Sequence, residues 1–235
     1  LFPQIQFIIT THSPMFLASM EKARYLEGDY VFKEGFDVYE LPEGRKIENL
    51  KKEYCEFEEL INSIRLNYKL REINEKIKKS TASHILLVEG ESDKIILKNA
   101  FEKLAFKMAK EIEIIVATGA STIEAFFCQQ DWVNGINNKG IIGIFDFDEA
   151  FFHWNRMKEK WVENADLIKV HENPKGYVLL LPVPEFRKSY AGIELGDKSI
   201  LSIELLFKDD KLKERGNLKD EYVAGIEIPR KVFGG

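Results

Sequence analysis

Cysteine is scarce in this chain: 235 residues carry two, Cys55 and Cys128. They match no zinc-ligand spacing and no disulfide framework, so a reducing, cytoplasmic setting is expected. Long apolar runs are also missing. No stretch approaches the roughly 20 residues of a membrane helix, and no signal peptide is recognisable. No internal repeat or low-complexity segment is visible. Excess basic charge is lacking too: the net charge is −5 and the pI is about 5.6. That balance argues against a nonspecific nucleic-acid coat protein, but not against an enzyme whose acidic site takes divalent metal before it meets phosphate. An initiator Met is absent, and the closing "IPRKVFGG" lacks a finishing element, so the sequence reads as a piece of a longer protein. What is present, 45% hydrophobic and 31% charged residues, fits a globular chain with a sizeable core.

The opening "IQFIITTHSPMFL" reads as a buried strand, Ile5 to Thr10, followed by a turn and a short helix with Pro14 near its first turn. Alternating runs around Ala23–Leu26, Tyr30–Phe32 and Phe36–Leu41 predict a small antiparallel meander. Apolar residues at threes and fours then predict a helix from about Glu53 to Lys79. Its charged tail "KLREINEKIKKS" reads as a solvated helix end, with a domain boundary near Ser80. Beyond it, strands and helices alternate. Strands are expected at Ile85–Val88, Ile112–Ala117, Ile141–Phe145, Leu167–Val170 and Tyr177–Leu181. Helices are expected at about Ser92–Lys110, with Ile95, Ile96, Ala100, Phe101, Leu104 and Met108 facing the core, and at Thr122–Val133 and Glu149–Val162. The last would place Trp154 and Trp161 on one stripe. Continuous apolar strands between amphipathic helices mean an α/β fold with a mainly parallel sheet covered by helices.

In open parallel sheets, ligands bind outside the carboxyl ends of the strands, and acids collect there in this sequence. Glu89 follows one strand in "HILLVEGESDKIIL"; Asp146 and Asp148 follow another in "GIIGIFDFDEA". The alternation through Phe147 points both aspartates the same way if the backbone stays extended. Asp93 falls in the first turn of the next helix, where the dipole favours an anion. A lone Glu after a strand is ordinarily a cap or a surface acid, and a lone Asp-x-Asp is common in loops. Two acidic strand ends one βαβα length apart are much rarer. Clustered carboxylates need a cation, and hard divalent ions take oxygen ligands. Two such ions about 4 Å apart serve phosphodiester hydrolysis.

"LLVEGESDKIIL" together with "IFDFD" resembles the TOPRIM fold of primases, topoisomerases and some nucleases, and the placement of Asp93 resembles the OLD (overcoming lysogenization defect) family of nucleases. "QFIITTHSP" resembles the last strand and switch histidine of ABC-type ATPases of the RecF/SMC kind, the domain that precedes TOPRIM in OLD proteins. The resemblance implies an ATPase fragment over 1–50, a helical linker over 51–80 and a TOPRIM nuclease domain over 81–235, whose fold is Rossmann-like with a mainly parallel sheet. It also implies a metal-dependent DNA endonuclease or nickase. Glu89 and Asp93 would bind one Mg²⁺ or Mn²⁺, Asp146 and Asp148 would bind or bridge to a second, and Glu204 in "SILSIELLF" would be a further ligand. Glu89, Asp146 and Asp148 would be the catalytic acids. His12 would sense ATP, with Thr11 and Ser13 shaping its loop. ATP regulation would belong to the full-length protein, because the phosphate loop, signature segment and Walker-B strand are missing here. A phosphate-stabilising lysine is implied, with Lys211, Lys213, Lys219 and Lys231 available. DNA as substrate, a homodimer through the ATPase half and a role in anti-phage defence or DNA repair complete the implication.

Two alternatives stay open. "IIGIFDFDEA" also resembles the nucleophile strand of haloacid-dehalogenase-like phosphatases, which would leave Glu89 idle. A catalytically inactive TOPRIM module for DNA docking or assembly is the other. "ATGAST" resembles the Gly-bearing turn after the second TOPRIM strand, though an ordinary strand-to-helix turn accounts for it. "KLREINEKIKKS" and "KLKERGNLK" are candidate phosphate contacts on otherwise solvated helical faces. His84 and His171 show no metal partner in the sequence, and His171 reads as a loop residue.

Overall fold

The structure is a computed structural model that describes residues 8–11, 16, 37–47, 55–129, 139–158, 160–165, 167–172, 175–213, 218–221 and 230–233. The chain divides into two compact units, Leu1–Lys69 and Leu70–Gly235. In the first, β1 (Val38–Glu40) and β2 (Arg45–Ile47) form an antiparallel hairpin. Arg45 and Glu40 close it with an exposed ion pair of 2.7 Å. Of the expected meander, the runs 23–26 and 30–32 lie outside the described residues. The expected opening strand is corrected where it can be seen. Ile8 and Ile9 are 87% and 58% exposed and in no strand; an apolar strand needs a paired neighbour, and none faces them among the described residues. His12 and Ser13 lie outside the described residues.

Helix α1 (Cys55–Lys79) follows the expected span. Its second half buries Leu70, Ile73 and Ile77, while Glu72 and Lys76 pair on the exposed side at 2.6 Å, four residues apart. The end of α1 is fixed by Lys139, whose Nζ donates to the carbonyls of Ile77 and Ser80.

The second unit is built on a six-stranded sheet in the order β4-β3-β5-β8-β7-β6. The strands are β3 (His84–Val88), β4 (Ile112–Val116), β5 (Gly140–Phe145), β6 (Trp161–Ala165), β7 (Ile168–His171) and β8 (Gly176–Leu180). β4, β3, β5 and β8 run parallel, and β7 and β6 add antiparallel pairs. Helices α2 (Glu91–Leu104), α3 (Phe106–Ala109), α4 (Ala120–Cys128) and α5 (Ala150–Arg156) flank it. This is the expected α/β architecture with a mainly parallel sheet. The β3 run Ile85–Val88 is buried throughout, as a central parallel strand requires. Among the described residues, no helix is long and apolar enough to cross a membrane.

Gly143 lets α4 approach the sheet. A Cβ there would lie 2.8 Å from Phe127 and 2.9 Å from Ile123, both buried. We expect Gly143→Ala to destabilise the protein by about 1–3 kcal/mol, the usual cost of overpacking. Urea denaturation followed by circular dichroism checks it.

Two helices differ from expectation. The helix from Ser92 was expected to reach Lys110 with its apolar stripe buried; it breaks at Ala105, where φ is −143° and ψ is 50°. Ile95, Leu104 and Met108 are 58%, 87% and 55% exposed, because α2 and α3 pack beside β4, the sheet edge, which offers little cover. The helix after Glu149 was expected to reach Val162 but ends at Arg156. Lys169 of β7 ends it: its buried Nζ donates to the carbonyls of Trp154 at 2.8 Å and Met157 at 3.1 Å and lies 3.9 Å from the Trp154 ring centroid. A cation at a helix C-terminus satisfies the orphan carbonyls and the dipole. Trp161 therefore sits on β6 rather than on a helical stripe with Trp154, and its ring meets Phe127 and His171 edge-on at 5.2 and 4.9 Å. His171 is the buried last residue of β7, not a loop residue.

Candidate acidic active site

The register of the parallel strands brings the acids together. β3 and β5 are adjacent, pairing Leu87 with Gly143, so both strands end at the same level of the sheet. Glu89 leaves β3 and Asp146 leaves β5 at that shared rim. Across the gap, the backbone N–H of Asp146 donates to Glu89 Oε1 at 3.0 Å. Phe147, between the two aspartates, forms an antiparallel bridge with Leu201: its N–H donates to the Leu201 carbonyl at 2.8 Å, and the Leu201 N–H returns to Phe147 at 2.9 Å. Extended backbone at that point keeps Phe147 buried and leaves Asp146 and Asp148 half-buried, the alternation the sequence implied. Two residues beyond Leu201, the 3-10 turn Ile203–Leu206 carries Glu204, half-buried.

Asp93 opens α2 from its third position. Its Oδ2 accepts the Gly90 N–H at 2.7 Å, so the side chain caps the helix and is buried. Asp148 Oδ1 accepts the Ala150 N–H at 2.9 Å at the start of α5. The turn after β4 closes on Glu89 from the other side. The Gly119 N–H donates to the Glu89 carbonyl at 3.0 Å, and the Ala120 N–H weakly opposes the rise in the Glu89 pKa. Gly119 is needed for its φ of 116°, in the region glycine favours, rather than for close approach, since a Cβ there would meet nothing within 4 Å. The neighbouring Thr118 also has positive φ, 63°.

The electrostatics centre on Asp146. Burial, then the carboxylates of Glu89, Asp93, Asp148 and Glu204, push Asp146 up to about 9. Burial, opposed by the Asp146 N–H and reinforced by Asp148 and Asp93, pushes Glu89 up to about 7. Asp93 is raised by burial and, more weakly, by Glu204; Asp148 is raised chiefly by burial. No cationic side chain is among the leading causes for Glu89 or Asp146. The other four predicted acids thus all act on Asp146 at one end of the sheet. Among the described residues, however, no three His, Cys, Asp or Glu side chains are grouped so that they could hold a metal ion as they stand. The donor chemistry nonetheless fits a hard divalent ion. The oxygens are all carboxylate, and either bound protons or a divalent cation relieve the repulsion between them.

Other predicted residues fall elsewhere. Lys211 is exposed on α6 (Asp209–Lys213), which also ends in Lys213. Lys219 and Lys231 lie on the antiparallel strands β9 (Leu218–Glu221) and β10 (Arg230–Phe233), and β10 runs beside the turn that carries Glu204. His84 Nδ1 is 3.1 Å from Ser83 Oγ, away from the acids. His153, on α5, is 2.6 Å from Glu124 of α4, and Arg156 is 3.4 Å from the same carboxylate. This network ties the two helices together and has no counterpart in the sequence reading. Arg187 was missed as well. It sits in "PEFRKSY" with no apolar periodicity around it, yet is 2% exposed.

Residues 81–129 match the family model described as Overcoming lysogenization defect protein-like, TOPRIM domain. The match runs from just before β3 through α4, and so includes Glu89 and Asp93. It identifies an OLD-like TOPRIM domain there and suggests a nuclease-type function. No curated protein and no solved structure matches the chain.

Proposed function

We propose that this chain carries a divalent-metal-dependent DNA endonuclease or nickase site of the OLD-like TOPRIM type. The observation that carries the reading is the hydrogen bond from the Asp146 N–H to Glu89 Oε1 at 3.0 Å, which joins the acidic ends of β3 and β5. Asp146 and Glu89 form its centre; Asp93, Asp148 and Glu204 complete the oxygen donors that would hold one or two Mg²⁺ or Mn²⁺ ions. A bound divalent ion supplies Lewis-acid polarisation of the phosphodiester and acidifies a water at neutral pH. The protein's share is to fix the donors. Gly90 and Ala150 N–H groups orient Asp93 and Asp148, and the Asp146 N–H orients Glu89. Of the candidate lysines, Lys231 lies on the strand beside the Glu204 turn.

The phosphatase alternative has no use for Glu89, Asp93 and Glu204, whose charges all act on Asp146. DNA as the substrate, ATP regulation through His12, a homodimer joined by the ATPase half and a role in anti-phage defence or DNA repair belong to this proposal. They rest on the resemblance of the sequence. The test is incubation with supercoiled plasmid in Mg²⁺, Mn²⁺ or EDTA. Nicked or linear product is expected with metal only; plasmid that stays supercoiled in every buffer overturns the nuclease reading, and cleavage of a small phosphoester without DNA cutting favours the phosphatase.

A further inference from the structure

The segment bearing Glu204 is pinned at both ends, and only one pin belongs to the acidic turns. Upstream, the bridge between Leu201 and Phe147 ties it to the residue between the two aspartates. Downstream, it is held by Arg187, from the 3-10 turn Glu185–Arg187. Arg187 Nε donates to the Leu205 carbonyl at 2.9 Å, and Nη2 donates to the Phe207 carbonyl at 2.9 Å. The same Nη2 lies 2.6 Å from Asp209 Oδ1. That contact is an ion pair without hydrogen-bond alignment, since the oxygen has no geometrically acceptable donor. One planar guanidinium therefore grips the two carbonyls flanking the exit of the Glu204 turn. Within that turn, the Leu205 N–H donates to Ser202 and the Phe207 N–H to Glu204. The position of Glu204 is set from both sides.

A buried cation is costly unless every donor is used. Here the polar groups it satisfies are main-chain carbonyls in a segment with no regular sheet or long helix to hold it. Its fork geometry is what lysine lacks: two carbonyls two residues apart are bridged by donors held rigidly in one plane. We propose that Arg187 is a positioning residue for the acidic site, locking the Ile203–Leu206 turn so that Glu204 faces Asp146 and Asp93. This inference rests on the functional reading above, in which Glu204 donates to the metal.

The experiment is Mn²⁺ titration, by calorimetry or by the electron paramagnetic resonance signal of free Mn²⁺, on four proteins: wild type, Arg187→Lys, Glu204→Gln and the double variant. Arg187→Lys is expected to weaken Mn²⁺ binding about tenfold, the size typical when a group that orients a ligand is altered. In the Glu204→Gln background the same change is expected to cost less than about twofold in affinity, because the ligand it orients is already gone. Its effect on thermal unfolding should be equal in both backgrounds. Equal weakening of Mn²⁺ binding in both backgrounds, or none in the wild-type background, overturns the positioning role while leaving the metal site intact. If Glu204→Gln binds as tightly as wild type, this inference falls while Glu89 and Asp146 still carry the functional reading; if wild type binds no Mn²⁺, both fall. Should the Arg187→Lys proteins not fold, Asp209→Asn, which loosens the guanidinium without removing it, is expected to weaken Mn²⁺ about threefold in the wild-type background alone. Unchanged binding there overturns the proposal.

Discussion

Plasmid nicking by Asp146→Ala in Mn²⁺ is expected to fall on the order of 10³-fold, the scale of losing a central group that stabilises developing charge. Asp146 is singled out by its surroundings. Burial and then four other carboxylates act on it, so removing it takes away the oxygen donor on which the site converges. The neighbouring Glu149 is exposed at the start of α5, and Glu149→Ala is expected to cut as wild type does. The pair separates a site effect from a change in local charge. Gel quantification of nicked product over time makes the measurement. An Asp146→Ala protein as active as wild type would remove β5 from the active site, and the assignment with it.

How far this site was legible depends on which link of the chain carried the signal. The acids at strand ends were readable because two simple periodicities agree. A continuous apolar run such as Ile85–Val88 marks a central parallel strand, and such strands end at the ligand-binding rim. The β3–β5 adjacency that joins Glu89 to Asp146 is a matter of strand order; the sequence of elements allows it without requiring it. Glu204 was visible only through a family pattern, since its turn is irregular and is held by Phe147 and Arg187 from distant parts of the chain. Arg187 itself carried no signal, because a buried arginine that serves carbonyls looks like any surface arginine in a polar loop. The α2 stripe misled for the opposite reason. Spacing of Ile95, Leu104 and Met108 reports that a face is apolar, not that anything covers it, and the edge strand β4 covers little. The helix expected to run to Val162 was stopped by Lys169, a residue from a later strand. Sequence windows see local propensity, whereas that stop is tertiary.

Asp146→Asn is expected to stabilise the protein in EDTA above neutral pH, by about 2 kcal/mol or more at pH 8.5 and by little at pH 4, following the linkage between proton uptake and folding. The sign follows from the direction of the shifts. Asp146 and Glu89 hold their protons in the folded protein to about 9 and about 7 respectively, well above the ordinary carboxylate range. Folded protein therefore binds more protons than unfolded chain between the ordinary values and those raised ones, so stability declines as pH rises through the window. The contribution is complete below pH 4 and is lost progressively up to about pH 9. Asn at 146 removes the more strongly raised of the two carboxyls, so its advantage should grow with pH over the same interval, with Glu89 still titrating near neutrality. Divalent ions act against the same repulsion. Mn²⁺ should raise the melting temperature of wild type most at pH 8, where the carboxylates ionise most readily, and should raise that of Asp146→Asn far less. Urea melts in EDTA at pH 4, 7 and 8.5, paired with thermal melts in Mn²⁺, measure both effects. A variant less stable than wild type at pH 8.5 in EDTA would mean that Asp146 is held by favourable contacts rather than against its neighbours' charge, and the case for a cation at this rim would lose its physical ground.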